Sequence, residues 1–216
     1  MFELLAGEQH VTTVSDKTLD FSDFTSRTWS GAAPTASSTL APNGDMCQNF
    51  SASSSVVLDI DSKIGDGPFT IGAYIQPSSY QGQYGSSPPT GIVFQIGTFS
   101  GGYNAVWARP GTGTATHPKT ISFLTFSDQT APVGQWRHVA AAFDPTTRMC
   151  RLFVDGVDFN EAQGVAISSR TLSLGGLGDR PGITGSNDAR YGYRGLMSQV
   201  RVRKGYQKGN FNPLVW

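Results

Sequence analysis

Glutamate is scarce in this chain: among 216 residues only Glu3, Glu8 and Glu161. Histidine is equally scarce, and His10, His117 and His138 lie far apart. The two shortages exclude much hydrolytic and metal chemistry. Glycoside hydrolysis needs paired carboxylates, one to donate a proton and one to attack or stabilise the sugar, and no two of these glutamates share a strand with an aspartate between them. Asp59-Ile60-Asp61 puts two carboxylates on one strand face, which reads as a solvated face. No histidine has a Cys or Glu at metal-ligand spacing, there is no His-Glu-x-x-His and there is no Gly-x-Ser-x-Gly elbow. GTGT at 111–114 lacks the Lys-Ser/Thr that follows in a phosphate loop.

Cysteine is limited to Cys47 and Cys150. Two cysteines form neither a disulfide scaffold nor a zinc motif. Each sits in an apolar-patterned segment, where the thiol behaves as a small buried hydrophobe; a bridge would require their strands to be neighbours. Long hydrophobic runs are missing too, and no window approaches the ~20 apolar residues of a membrane helix. Residues 1–16, MFELLAGEQHVTTVSD, lack the basic leader and long apolar run of a secretory signal, so none is expected. Charge of one sign is absent: 16 Lys/Arg balance 16 Asp/Glu, which gives no pull toward nucleic acid. The halves differ, however. Residues 1–136 hold 5 basic and 10 acidic residues, and residues 137–216 hold 11 and 6. An acidic patch meeting a neighbouring subunit's basic patch would explain this. The intermixing of strands from both halves explains it more simply, since sandwich topologies interleave distant segments.

What the chain does have is glycine, proline and short β-patterned runs. Gly 26 and Pro 12 punctuate turns and interrupt helices. Between the turns lie SVVLDID (55–61), FTIGAYIQ (69–76), GIVFQIGTF (91–99), THPKTISFLTFSD (116–128), LSLGG (172–176) and QVRVRK (199–204). These runs are β-branched or aromatic, or alternate with period two. No amphipathic helix longer than about two turns is visible. The expected fold is all-β: an antiparallel two-sheet β-sandwich or jelly roll of roughly a dozen strands. QPSSYQGQYGSSPPTG (76–91) is loop-like and long enough to suggest function. Residues 1–25 are expected to form an N-terminal arm and first strand, with 26–216 as one domain.

Residues 134–156, GQWRHVAAAFDPTTRMCRLFVDG, read as a β-meander. Val139, Ala141 and Phe143 share one strand face; Trp136, His138, Ala140 and Ala142 share the other. Asp144-Pro145 opens a turn. Cys150, Leu152 and Val154 then share one face of the partner strand, and Asp155-Gly156 supplies a tight second turn. In the closing strand Val200 and Val202 face one way and Arg201 and Arg203 the other, and Met197 needs a bulge to join the valines. Arg201, Arg203, Lys204 and Lys208 read as a basic sheet edge.

The stretch at 134–157 resembles the central Gly-x-Trp-x-His-Val-Ala … Leu-aromatic-Val-Asp-Gly motif of the laminin G-like branch of the concanavalin A-like lectin/glucanase superfamily. Residues 49–79 resemble that family's early strands, LSLGG (172–176) its Ile-x-Ile-Gly-Gly strand, and YRGLMSQVRVRKGYQKGNFNP (193–213) its closing strand and tail. Together these cover about residues 47–213. Tyr74 replaces the usual Trp, and Ser198-Gln199 replaces an acidic pair. The resemblance implies a concanavalin A-like jelly roll in which His138 supports the sandwich. An isolated histidine without a partner is a poor catalyst, and no catalytic residues are expected.

Likeness of 200–213 to laminin G-like domains of bacteriophage proteins implies a virion structural protein, a head decoration or surface appendage. Such a protein would be assembled in the host cytoplasm and displayed on the virion surface. It would dock to other virion proteins as a homo-oligomer. The alternative is a lectin that recognises host-surface glycans. Sugar binding needs aromatic faces and polar side chains, which Tyr80, Tyr84, Tyr103, Trp107, Arg190, Tyr191, Tyr193 and Arg194 supply as glycan or interface candidates. Family relatives can bind calcium through aspartates and loop carbonyls. That makes Asp128, Asp179 and Asp188 weak ligand candidates, and no other cofactor is implied.

Overall fold

The computed structural model describes residues 33–51, 56–59, 66–78, 91–97, 103–108, 123–126, 132–163, 171–175 and 193–216. The expected arm at 1–25 lies outside them. Twelve strands run through the described residues: β1 (Thr35–Leu40), β2 (Met46–Phe50), β3 (Val56–Asp59), β4 (Phe69–Pro77), β5 (Gly91–Gly97), β6 (Tyr103–Ala108), β7 (Phe123–Phe126), β8 (Arg137–Asp144), β9 (Met149–Val154), β10 (Val157–Gln163), β11 (Thr171–Leu174) and β12 (Gly195–Lys204). They form a seven-stranded sheet, β1-β2-β12-β4-β8-β9-β10, and a five-stranded sheet, β3-β11-β5-β6-β7. All pairings are antiparallel except β6 with β7. The larger sheet mixes strands from before and after residue 136, as the intermixing explanation of the charge imbalance expects.

The sheets stack face to face through one apolar core. Ile71, Ala73 and Ile75 of β4, Val139, Ala141 and Phe143 of β8, and Cys150 and Leu152 of β9 meet Val93, Phe94, Leu172 and Leu174 of the smaller sheet. Each large buried side chain contributes about 1.5–3 kcal/mol. The expected faces of β8 and β9 match this core. Arg148 opens β9 with φ 56. Asp155 and Gly156 follow it with φ 50 and 77, both positive, as a tight hairpin turn requires.

β12 carries the expected bulge. Its pairing with β4 shifts between Ser198 and Arg201, and Gln199 has φ 50. The extra residue lets Met197, Val200 and Val202 all enter the core. The basic-edge expectation is corrected: β12 lies inside the sheet, paired with β2 on one side and β4 on the other. Its arginines face outward beneath the C-terminal segment, so they do not guard an edge.

That segment, 205–216, covers part of the larger sheet's outer face. Gly205 N–H donates to the Pro68 carbonyl at 2.7 Å and Phe211 N–H to that of Gly156 at 2.8 Å. Tyr206 and Phe211 pack on Ala140, Ala142 and Phe153. The Asn212 side chain caps a short 3-10 turn at Pro213–Val215. Small alanines on β8 let the segment lie close.

Cys47 and Cys150 are both buried and both free. Cys150 belongs to the inter-sheet core, whereas Cys47 packs with Ala41 and Tyr74. They sit on opposite faces of one sheet, which rules out a bridge.

Candidate functional site

One end of the sandwich gathers many strand ends. β2 and β4 finish there, and β12 starts there, since Gly195 pairs with both Phe50 and Pro77. β8 starts beside them, Arg137 pairing with Ile75. In the smaller sheet β11 ends, β5 begins and β6 ends at this rim. Hydrogen bonds stitch it together. Ser78 N–H donates to the Arg194 carbonyl at 3.0 Å, Gly134 N–H to that of Pro77 at 2.7 Å, and Tyr193 N–H to that of Gly175 at 2.8 Å. The Gln76 amide donates to the Gly134 carbonyl at 2.9 Å. Gly195 has φ 141, and a Cβ there would run into the Gln76 carbonyl. Only glycine allows the two backbones to approach this closely.

The outer face at this rim is not covered by residues 205–216. Trp136 and Leu196, each half-buried, pack on a small cluster of Ala41, Cys47 and Tyr74. Gln76 sits two residues along β4 from Tyr74 on the same face. Arg194 is half-buried at the start of β12, and its Nε is shielded from solvent without an acceptor. An indole face can stack on a flat apolar surface, while an amide and a guanidinium pair with hydroxyls or oxyanions. Residues 79–90 and 176–192 are bounded by Ser78 and Gly91 and by Gly175 and Tyr193, all at this rim.

The candidates from the sequence divide accordingly. Tyr80, Tyr84, Arg190, Tyr191 and the weak calcium candidates Asp128, Asp179 and Asp188 lie outside the described residues. Trp107 pairs with Ile92 and Thr125 near the rim, while Tyr103, paired with Gly97, is at the opposite end of the sandwich. Tyr193 is corrected as a surface candidate. It is 1% exposed, meets the Phe50 ring edge-on at 6.1 Å and donates its hydroxyl to the Leu196 carbonyl at 2.9 Å. It anchors the rim and cannot reach a ligand. Trp136 was grouped with His138 by strand parity alone, which is why the sequence did not mark it as accessible.

His138 is buried and not a reactive site. Three rings close on it: Tyr74 at 4.9 Å, Trp216 at 5.2 Å and Phe211 at 5.7 Å. Neither ring nitrogen has a hydrogen-bond partner. Burial, reinforced by the Arg201 and Arg203 charges, lowers its pKa to about 3, so the ring is neutral. Asp158 and Glu161, two carboxylates on β10, both pair with Arg151. Among the described residues no group of His, Cys, Asp or Glu could hold a metal ion.

A laminin G family profile, described as the concanavalin A-like lectin/glucanases superfamily, matches residues 50–205. The chain belongs to that superfamily. A comparison with curated protein sequences gives no match. Among solved structures, domain 4 of the extracellular arabinanase AbnA from Geobacillus stearothermophilus, in complex with arabinotriose, superposes with TM-score 0.50 at 14% identity, over 84% of this chain and 83% of that one. The botulinum neurotoxin serotype C1 binding domain gives TM-score 0.50 at 13% identity, over 84% and 44%. NanB sialidase from Streptococcus pneumoniae gives 0.50 at 11%, over 75% and 26%. This chain spans less than half of the last two. At these identities the likeness establishes the shared sandwich. Among the described residues, the stitched rim is where polar and aromatic groups lie beyond the reach of the C-terminal segment.

Proposed function

We propose that this chain is a non-enzymatic carbohydrate-recognition module whose ligand binds at the rim. The observation that carries the reading is the rim, which residues 205–216 leave uncovered and where half-buried Trp136, Gln76 and Arg194 stand on a backbone fixed by hydrogen bonds. An aromatic platform with a few rigid polar groups suits a sugar ring and its hydroxyls. Membership of a lectin/glucanase superfamily and the likeness to an arabinanase domain solved with arabinotriose support it. Tyr80, Tyr84, Arg190 and Tyr191 belong to the segments bounded by the rim and are assigned to the same site. Calcium, if used, would be held by Asp179 and Asp188. The test is a glycan array with calcium and with EDTA, using wild type, Trp136→Ala and Tyr191→Ala. Specific binding that is lost in the variants supports the reading, and silence in both buffers overturns it.

A second reading, a virion structural protein displayed on a bacteriophage surface, draws on the resemblance of residues 200–213 and on β1. That edge strand carries no charge, and Leu40 and Met46 at its hairpin tip are 56% and 66% exposed. An uncharged edge with apolar residues suits assembly with like or unlike subunits. A monomer in sedimentation at all concentrations, with no uptake onto particles, would count against it.

A further inference from the structure

Arg194 differs from the other arginines of the described residues. Arg137 pairs with Asp155 at 3.3 Å. Arg151 pairs with Asp158 and Glu161. Arg201 donates to the Trp216 carbonyl, Arg203 lies 5.0 Å over the Trp216 ring, and Arg148 has an interaction of its own. Among the described residues the Arg194 guanidinium has none: its Nε is buried without an acceptor, and no carboxylate of theirs pairs with it. Buried donors are ordinarily satisfied; the Nε atoms of Arg151 and Arg203 are unsatisfied too, but those two guanidiniums are held by carboxylates and by the Trp216 ring, whereas that of Arg194 is left for an acceptor from outside.

The backbone beneath it is fixed. The Arg194 carbonyl accepts from Ser78, Tyr193 is locked in the core, and Gly195 is pressed against the Gln76 carbonyl. Trp136 and Gln76 stand at the same rim. Asp155, a carboxylate at this rim, is already engaged, accepting from His138 N–H at 2.8 Å and pairing with Arg137. Such a guanidinium presents parallel N–H groups in a fork that matches an oxyanion, and its preorganisation lowers the ordering cost of binding.

We propose that the glycan taken at the rim is acidic, and that its oxyanion, a sugar carboxylate or a sulfate ester, pairs with Arg194. The proposal rests on the carbohydrate reading above and adds the ligand's charge. The test is calorimetry on the full chain with three probes: arabinotriose, an oligogalacturonate and a sulfated oligosaccharide. The expected result is that an acidic probe binds at least tenfold tighter than arabinotriose, weakens with added salt, and loses at least tenfold in Arg194→Gln at an unchanged thermal midpoint. Whichever acidic probe binds tighter identifies carboxylate or sulfate as the source. Should Arg194→Gln fold poorly, Arg194→Lys keeps the charge without the fork and is expected to lose part of the affinity. Equal binding of the acidic probe by wild type and both variants overturns the assignment to Arg194. Preference for arabinotriose, indifferent to Arg194, overturns the acidic ligand and leaves the carbohydrate reading standing. No binding to any probe or to the array overturns both.

Discussion

Trp216 fills the space that Gly72 leaves empty. A Cβ built on Gly72 would lie 2.7 Å from Trp216 Cζ3 and 3.0 Å from His138 Cε1. The ring is also held from its other sides, with Arg201 donating to the Trp216 carbonyl and Arg203 over its face. The glycine in the middle of β4 is thus the seat of the C-terminal segment.

Gly72→Ala is expected to destabilise the fold. Alanine is intrinsically better than glycine in a strand by about 0.5–1 kcal/mol, but overpacking costs about 1–3 kcal/mol. The clash should win, lowering the thermal midpoint by a few degrees. Trp216 should also become more accessible to acrylamide quenching, read against Trp216→Phe. An unchanged midpoint and unchanged quenching would mean that the segment is not seated on Gly72.

His138 should make stability fall as pH drops from 7 to 5. Its native pKa is lowered to about 3 from the ordinary 6.5, by burial first and then by the Arg201 and Arg203 charges. The unfolded chain takes up a proton as pH falls through 6.5, and the native chain does not until about 3. The full contribution is therefore present above 6.5 and is lost progressively between 6.5 and 3, at up to about 1.4 kcal/mol per pH unit. Both ring nitrogens lack partners, so a phenyl ring forfeits no hydrogen bond there. Urea midpoints at pH 7, 6 and 5 should decline more steeply in wild type than in His138→Phe, and equal slopes would place His138 in contact with water.

Both thiols should be silent in the native protein. Burial pushes the Cys150 pKa up to about 12 and raises that of Cys47, and the thiolate is the reactive form. An aromatic disulfide reagent at pH 8 should react with neither until denaturant is added, and then with two per chain. Rapid reaction of one thiol without denaturant would show that its cover opens.

The hairpin at 137–157 was legible from the sequence because its determinants are local. Period-two alternation assigns Val139, Ala141 and Phe143 to the core, and Asp-Gly specifies the turn. The Met197 bulge was legible for the same reason: three apolar residues at the wrong spacing for one face need an extra residue between them. Tyr193 was not. In YGYRG it looks like a loop aromatic, and only the return of the chain beside Phe50 and Gly175 buries it. Alternating Val and Arg in β12 suggests a half-exposed edge, because nothing local reveals that 205–216 folds back or that β2 and β4 flank the strand. The candidate site suffers similarly. Trp136 and His138 share a face by parity, and only the place where the C-terminal segment stops separates a half-buried indole from a sealed imidazole.

The turn at Asp155 and Gly156 joins this segment to the rim and should tolerate little change. Asp155 accepts from His138 N–H at 2.8 Å, donates its own N–H to the His138 carbonyl at 2.7 Å and pairs with Arg137. Gly156 has φ 77, and a Cβ on it would meet the Phe211 carbonyl and lie 2.9 Å from Pro213 Cδ. Gly156→Ala therefore combines backbone strain of about 1 kcal/mol or more with a collision that lifts Phe211 off Phe153. A loss of about 2–4 kcal/mol is expected in urea denaturation. Asp155→Asn keeps an acceptor for His138 N–H but gives up the Arg137 charge pair, half-exposed and worth at most about 1 kcal/mol. The two variants should thus differ by more than 1 kcal/mol, with the glycine variant the weaker. The reverse order would mean that the carboxylate, not the close approach of the backbones, holds the C-terminal segment against the sheet.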